Sequence, residues 1–221
     1  MEQEIILEAR NITKVYPGGV VANHNVNLQI KKGEIHALVG ENGAGKSTLM
    51  SILFGLYQPT SGTIKKNGQV VQINTPNDAN DLNIGMVHQH FKLVECFSVL
   101  DNIILGVETT KNGFLQKEGA RKKVMALSEK YGLSVDPDAI IEDTTVGMQQ
   151  RTEILKMLYR DNEILIFDEP TSGLDFRHME QTAALLSSLK GNQTVLIVTH
   201  DPELIQRCCD HIVCIENGTV I

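Results

Sequence analysis

The chain has 221 residues, a length that suits one large or two small domains. Hydrophobic residues make up 42% and charged residues 21% of it, and these shares exclude a disordered, collagen-like or disulfide-rich chain. The formal net charge of −7 argues against nonspecific nucleic-acid binding, because phosphates attract clustered lysine and arginine.

Two further features concern the cellular setting. No apolar stretch approaches the ~20 residues that cross a bilayer, and the start Met-Glu-Gln-Glu is acidic where a secretory signal is basic. If a membrane is involved, we expect another chain to span it. The four cysteines lack paired CxxC spacing, which indicates reduced, mainly structural thiols in the cytoplasm. They are Cys96, Cys208, Cys209 and Cys214.

The chain opens with β-strand patterns. Residues 5–12 and 26–30 have alternating or β-rich apolar positions, and the turn signal Pro17-Gly18-Gly19 separates them. Asn-Gly pairs at 67–68 and 217–218 each lie between β-prone runs, which predicts two hairpins. We therefore expect an N-terminal antiparallel β part.

Short, continuous apolar runs indicate strands that are covered on both faces, as in a parallel sheet. Three such strands are predicted at 35–39, 164–167 and 195–198. Helical spacing of apolar residues predicts three core-facing helices, at 46–56, 148–159 and 179–189. We predict an α/β fold with a mainly parallel core sheet.

The middle of the chain has a different character. Residues 91–145 are polar and helical, with one long helix predicted at 117–131. We interpret them as an inserted helical subdomain. The prediction is thus one domain over 1–221, with a core and β part at 1–90 and 146–221.

The most specific motif lies between a predicted strand and a predicted helix. Residues 40–48 fit GxxxxGK[ST] in the context that confirms a P-loop, and they predict ATP or GTP binding. Backbone N–H groups and a helix N-terminus there attract phosphates, with Lys46 at the β- and γ-phosphates and Ser47 on Mg²⁺. The predicted nucleotide-binding residues are Gly40, Asn42, Gly43, Ala44, Gly45, Lys46, Ser47 and Thr48.

Two carboxylates follow the predicted strand 164–167, where open α/β sheets bind ligands. We expect Asp168 to hold Mg²⁺, through water, and Glu169 to polarise the attacking water as a general base. Beside a P-loop, this pair predicts hydrolysis of the nucleotide.

Further motifs follow in an order that resembles the ABC ATPase family over the whole chain. Gln89 matches the glutamine that joins Mg²⁺ and water to a transmembrane partner, and His200 matches the switch histidine at the γ-phosphate. Ser172 and Asp175 match the D-loop. Tyr16 matches the aromatic residue that stacks on adenine; the alternative is an ordinary strand tyrosine.

The family's signature, commonly Leu-Ser-Gly-Gly-Gln, is altered in this sequence. Thr145 keeps the hydroxyl and Gly147 the glycine, whereas Met148 stands where glutamine is usual, after Val146. In the family this segment closes over ATP bound by a second subunit. The resemblance therefore implies that Thr145, Val146, Gly147 and Met148 act in trans, in a dimer of two nucleotide-binding domains.

The runs Val-Gly-Met-Gln-Gln-Arg and Met-Val-His-Gln-His-Phe are similar to importer ATPases for sugars and nucleosides. The resemblance implies an ATPase with Mg²⁺ that drives import through transmembrane permease subunits, at the cytoplasmic face of the membrane. By analogy an extracytoplasmic substrate-binding protein delivers the solute. Such importers usually carry two nucleotide-binding halves in one chain, and we expect this sequence to be either the first of these halves or a single-domain relative.

Two alternatives belong to other classes of protein. One is a non-transport ABC ATPase that acts on nucleic acid or the ribosome; it would carry coiled-coil insertions, zinc modules or basic linkers, which this sequence lacks. The other is a regulatory domain that binds but does not hydrolyse nucleotide. It would lack Glu169 or His200, and both are present.

Overall fold

A computed structural model describes residues 4–88, 91–111, 113–171 and 176–221, without the side chains of 176–178. Two compact units emerge, one formed by residues 1–86 with 163–221 and the other by 87–162. Within the described ranges, no helix is both long and apolar enough to span a bilayer.

The strands are, in chain order, β1 (Ile5–Val15), β2 (Val21–Lys31), β3 (Ile35–Val39), β4 (Ser61–Lys66), β5 (Gln69–Val71), β6 (Ile84–Val87), β7 (Thr110–Lys111), β8 (Phe114–Leu115), β9 (Ile164–Asp168), β10 (Thr194–Val198), β11 (His211–Glu216) and β12 (Thr219–Val220). The helices are α1 (Lys46–Leu53), α2 (Pro76–Asp81), α3 (Val99–Ile104), α4 (Lys117–Tyr131), α5 (Val146–Tyr159), α6 (Phe176–Leu189) and α7 (Pro202–Cys208). A short 3₁₀ helix spans Ile141–Asp143.

The first unit contains two sheets. One is antiparallel, with strand order β2-β1-β4-β5, and the other has the order β12-β11-β3-β10-β9-β6. In the second sheet β11, β3, β10 and β9 are parallel neighbours, whereas β12 returns as a hairpin on β11. Leu38 pairs with Val198, and Val198 with Asp168, so three strands end at one edge. This edge places the loops that follow β3, β9 and β10 side by side.

The core of this unit lies between its sheets and α1. The apolar side of α1 joins the same buried cluster as residues of β1, β2, β9 and β10. Strand β9 is wholly buried from Ile164 to Phe167, which accounts for its continuous apolar run. Burial of these apolar side chains stabilises the sheet, and therefore the positions of the loops that leave its edge.

The second unit is mainly helical. Helices α3, α4 and α5 contact one another, and the buried face of α4 repeats at helical spacing through Ala120, Val124 and Ser128. Strands β7 and β8 form a small hairpin. The unit is larger than the predicted subdomain 91–145 because α5, assigned to the core from the sequence, packs on α3 and α4.

Most predicted elements are present, but several boundaries were wrong. The predicted helix 46–56 ends at Leu53, because Gly55 adopts the non-helical φ of 79°, and a Cβ there would lie 2.4 Å from the Thr75 carbonyl oxygen. Helix α5 begins two residues before the predicted 148, since Thr145 caps it, and α6 begins at 176 rather than 179. Both Asn-Gly hairpins are confirmed, by β4–β5 and β11–β12.

Candidate functional site

The loop between β3 and α1 is the centre of the candidate site. It runs from Gly40 to Gly45, and α1 begins at Lys46. Gly45 has φ 99°, and a Cβ there would lie 2.2 Å from the Ala22 carbonyl oxygen. Only glycine fits this backbone and this close approach. The structure therefore gives the predicted strand, glycine-rich loop and helix in that order.

Two carbonyls of the loop accept hydrogen bonds from distant parts of the chain, one from β2 and one from the turn between β11 and β12. The buried Asn23 side chain donates from Nδ2 to the Gly45 oxygen at 3.1 Å, and the Gly218 amide donates to the Ala44 oxygen at 3.0 Å. Asn23 was missed in the sequence because a polar residue did not fit the apolar pattern of β2. It is fully buried, and its Oδ1 has no hydrogen-bond partner among the described atoms.

The Lys46 side chain turns back into the loop that precedes it. Its ammonium donates to the carbonyls of Gly40, at 2.8 Å, and Glu41, at 3.0 Å, and only 6% of the residue is exposed. Its stem is thus sheltered while its charge is held at the loop. A phosphate bound by the loop amides would lie beside this charge, which is the role predicted for Lys46.

Ser47 connects the P-loop with the end of β9. Its hydroxyl is near the Asp168 carboxylate and favours the charged form of that group. Burial, reinforced by the negative charge of Glu169, raises the pKa of Asp168, although the Ser47 hydroxyl and the Lys46 charge oppose the shift. A carboxylate in this position gains stability from any additional positive charge.

The donors at this point fit a magnesium ion. Oδ1 of Asp168 is buried without a hydrogen-bond partner in the described part of the chain, and the Ser47 hydroxyl is adjacent. Magnesium prefers such hard oxygen ligands and takes only one or two from the protein, with phosphates and water completing the shell. No group of three or more His, Cys, Asp or Glu among the described residues could hold a metal by itself.

Glu169 follows β9 in an unusual backbone conformation. Its φ is 50°, in the left-handed region that non-glycine residues seldom adopt, and its amide donates to the Val198 oxygen at 2.9 Å. The side chain is largely buried, and Oε2 lies 2.9 Å from Nδ1 of His200. The contact lacks hydrogen-bond alignment, so Oε2 has no donor among the described groups. His200 itself is well exposed.

Tyr16 lies next to the start of α1. Its hydroxyl is 3.4 Å from Oγ1 of Thr48, and its ring contacts that of Tyr57. The structure thus brings Tyr16, the P-loop, Asp168, Glu169 and His200 to one unit. Gln89, Ser172 and Asp175 lie outside the described residues.

The altered signature begins a helix in the second unit. Thr145 is the N-cap of α5, and its hydroxyl accepts from the Met148 amide at 3.3 Å. Val146 is 56% exposed, and the first turn, which includes Gly147, contains no acidic residue. The positive end of the α5 dipole is therefore not neutralised by its own first turn.

The family model described as ABC transporter matches residues 23–172 of this sequence. The chain belongs to the ABC transporter family. The guanosine import ATP-binding protein NupO of Bacillus subtilis is 52% identical over 97% of this chain and 42% of its own. The nucleoside import ATP-binding protein NupA of Lactococcus lactis is 49% identical over 100% and 44%. The chain thus spans less than half the length of these ABC relatives.

Solved ABC structures have the same fold. CbiO1 of Clostridium perfringens, part of the ABC transporter complex cbiONQ, superimposes with a TM-score of 0.84 at 29% identity, over 99% of this chain and 88% of that one. The ATP-binding cassette MJ0796, a dimer in a post-hydrolysis state with ADP and phosphate, gives 0.81 at 29% identity, over 97% and 96%. The predicted ABC-type α/β fold with its antiparallel part is confirmed.

Proposed function

We propose that this chain is the ATP-hydrolysing motor of a transporter that imports a nucleoside or sugar. The observation that carries the proposal is the sheet edge where β3, β9 and β10 end together. It gathers a phosphate-binding loop, a Ser47–Asp168 pair suited to Mg²⁺, and the Glu169–His200 pair. Membership of the ABC transporter family supports ATP as the nucleotide.

Each group at this sheet edge contributes to the hydrolysis of ATP. The loop amides and Lys46 hold the β- and γ-phosphates in line for attack. Ser47 and, through water, Asp168 would hold Mg²⁺, which would supply positive charge that offsets charge on the phosphates. Glu169 accepts a proton from the water that attacks the γ-phosphorus, while the bond to the bridging oxygen breaks and ADP leaves. His200 orients Glu169 and contacts the γ-phosphate.

A single copy of this site is incomplete in the proposed mechanism. The exposed N-terminus of α5, with Thr145 through Met148, closes over ATP held by a second nucleotide-binding domain. That domain is either another copy or the half that corresponds to the remaining length of the relatives. ATP binding closes the dimer, and hydrolysis opens it. Ser172 and Asp175 would lie at the same interface.

We further propose that transmembrane permease subunits receive this motion through Gln89, at the cytoplasmic face of the membrane. The relatives named for guanosine and nucleoside import favour a nucleoside as the cargo over a sugar. By the same analogy a substrate-binding protein on the outer side delivers it. A ribosomal or nucleic-acid role finds no comparable relative among those described.

The enzymatic part of the proposal is tested by the dependence of turnover on concentration. We expect Mg²⁺-dependent phosphate release by the purified chain to rise faster than linearly with protein concentration, because two copies share each site. Lys46→Ala is the matched inactive control. If the wild type binds ATP but releases no phosphate at any concentration, this chain alone is not the motor.

The transport part is tested in cells that naturally produce the chain. We expect deletion of its coding sequence to abolish uptake of labelled nucleosides, and the wild-type protein to restore it while Lys46→Ala does not. Loss of sugar uptake instead would correct the cargo. Normal uptake of both classes, with ribosomes or nucleic acid bound to the purified protein, would replace the proposal by the non-transport alternative.

A further inference from the structure

Three side chains form an aromatic corner beside the P-loop. The rings of Tyr16 and Tyr57 are perpendicular, at 88°, with centroids 5.8 Å apart. The ammonium of Lys14 lies 5.3 Å from the Tyr16 centroid and 5.8 Å from the Tyr57 centroid. Edge-to-face rings attract each other through their quadrupoles, and a cation over both adds to this attraction. We call Lys14 and Tyr57 the Tyr16 support.

Tyr16 has few other constraints on its ring. The residue is only partly buried, and its hydroxyl contact with Thr48 is 3.4 Å, long for a hydroxyl hydrogen bond. Its backbone begins the turn after β1, where its amide donates to the Val20 oxygen at 2.9 Å. The orientation of the ring therefore depends on the side chains that touch it.

Tyr57 is a firm base for such a contact, although it is 45% exposed. Its amide donates to the Ser51 oxygen of α1 at 3.2 Å. The next residue, Gln58, donates from its side chain to the carbonyls of Ile73, at 3.0 Å, and Asn74, at 2.9 Å. Tyr57 is thereby fixed to the helix that begins with Lys46.

Lys14 connects the two tyrosines from the strand side. It lies near the end of β1, and its ammonium donates to the Gln58 oxygen at 2.7 Å. The same region is tied twice more, because the Val15 amide donates to Oγ1 of Thr60 at 3.0 Å and the Thr60 amide to the Thr13 oxygen at 2.7 Å. The charge is thus held at a fixed place over both rings.

We propose that Lys14 and Tyr57 are positioning residues for the nucleobase, which hold the Tyr16 ring in the orientation that stacks on a purine. The inference rests on the proposed nucleotide binding at Tyr16 and the P-loop. Stacking requires a defined ring plane, and a ring that is ordered before binding loses less conformational entropy when the base arrives. Recognition of the base, rather than of the phosphates, is the property that the support controls.

The test separates the base from the phosphates. Dissociation constants are measured by calorimetry for ATP and for inorganic tripolyphosphate, with wild type, Tyr57→Leu, Tyr57→Phe and Lys14→Met. We expect Tyr57→Leu to weaken ATP about three- to tenfold, from the usual strength of an aromatic pair. Tripolyphosphate should bind within about twofold of wild type, and Tyr57→Phe should bind ATP normally. Lys14→Met should weaken the binding of ATP but not the binding of tripolyphosphate.

A double-mutant cycle shows whether Tyr57 acts through Tyr16. On a Tyr16→Leu background, Tyr57→Leu should have no further effect on ATP affinity. If Tyr57→Leu weakens both ligands equally, or if its effect adds in full to that of Tyr16→Leu, the inference is overturned. If Tyr16→Leu itself leaves ATP affinity unchanged, the stacking role proposed for Tyr16 is wrong and the inference falls with it.

A matched control accounts for general effects of removing a tyrosine. Tyr159 belongs to the second unit, whereas Tyr16 belongs to the first, and the ammonium of Lys123 lies 4.8 Å from the Tyr159 ring centroid. Tyr159→Leu should leave both dissociation constants unchanged. An ATP-specific loss in Tyr159→Leu equal to that of Tyr57→Leu would also overturn the inference, because the effect would not require contact with Tyr16.

Discussion

Nδ1 of His200 lies 2.9 Å from Oε2 of Glu169, just beyond the ends of two neighbouring parallel strands. Because the ring N–H is not aligned on it, this oxygen remains able to accept a proton or a hydrogen bond from water. The strained backbone of Glu169 holds the carboxylate at the sheet edge.

Glu169→Gln should abolish hydrolysis without abolishing binding. Glutamine is nearly isosteric but cannot accept the proton, so we expect phosphate release to fall about 100-fold or more. The dissociation constant for ATP should change by less than about threefold, because the phosphates bind to the loop rather than to Glu169. Residual turnover near the wild-type rate would exclude Glu169 as the base.

Asp168→Asn should have opposite effects on stability and on magnesium binding. Burial and the Glu169 charge raise the pKa of Asp168, so the native state binds more protons than the unfolded chain, and stability falls as pH rises through this range. Above this pH range the buried negative charge of Asp168 destabilises the native state, and asparagine removes that charge. We therefore expect the variant without ligand to melt at a higher temperature at pH 7.

The same substitution should remove the advantage that Mg²⁺ gives to ATP binding, by about 10- to 100-fold. Calorimetric titrations of ATP with and without Mg²⁺ measure this difference. A variant that is stabilised but still responds fully to Mg²⁺ would show that Asp168 does not hold the ion.

Asn23→Leu should disturb the P-loop by removing a buried side chain that supports its backbone. The substitution removes the buried hydrogen bond to the Gly45 carbonyl, which we expect to cost about 1–3 kcal/mol in the free energy of unfolding and to weaken ATP binding. Asn27→Leu is the matched control, since Asn27 is an exposed asparagine on the same strand. Urea unfolding and ATP titration of both variants decide the matter, and equal effects would refute a special role for Asn23.

His36 should make the protein sensitive to mild acid. Burial, with the His211 charge next, lowers its pKa from 6.5 to about 4, against the opposing carboxylates of Glu34 and Asp210. The unfolded chain therefore binds the extra proton between pH 6.5 and 4, so stability is full above this window and falls by roughly 3 kcal/mol through it. The measurement is urea unfolding across this range.

His36→Gln should flatten this dependence, because glutamine does not titrate and can still accept the Lys31 amide hydrogen that Nε2 accepts at 3.2 Å. The exposed His24 provides the control, and His24→Gln should leave the slope as in wild type. Parallel curves for wild type and His36→Gln would contradict the prediction.

Thr145 should contribute to stability through its cap and to hydrolysis through its hydroxyl. Thr145→Val keeps the shape but cannot accept the Met148 amide, so we expect a loss of about 1 kcal/mol and a lower rate of phosphate release. Thr145→Ser should preserve both properties. A normal rate in Thr145→Val would show that the altered signature does not use this hydroxyl.

Local signals explain why some elements were foreseen and others missed. The Asn-Gly hairpins and the P-loop each depend on residues adjacent in sequence, and their geometry followed. Helix α2 has a capping box between Thr75 and Asp78 with Pro76 at its first turn, and α7 has Asp201 before Pro202. These capping signals are present in the sequence, but both helices are too short to show an apolar periodicity.

The sequence by itself determined the α/β class, the P-loop and the order of the family motifs, because backbone propensity and motif spacing are local properties. It also predicted Glu169 as the general base, and the family resemblance implied His200 at the γ-phosphate, but nothing in the sequence placed these two side chains in contact. Only the tertiary structure showed which residues support the site residues. Asn23 reaches Gly45, and Tyr57 reaches Tyr16, across gaps of 22 and 41 residues.

The same distinction explains the error at α5. Its apolar spacing showed a helix but not a partner, and in the structure it packs with α3 and α4 in the second unit. Periodicity identifies a buried face, whereas the partner of that face depends on chain crossings that bring distant segments together. Those crossings are a property of the whole fold, and no short stretch of this sequence contains them.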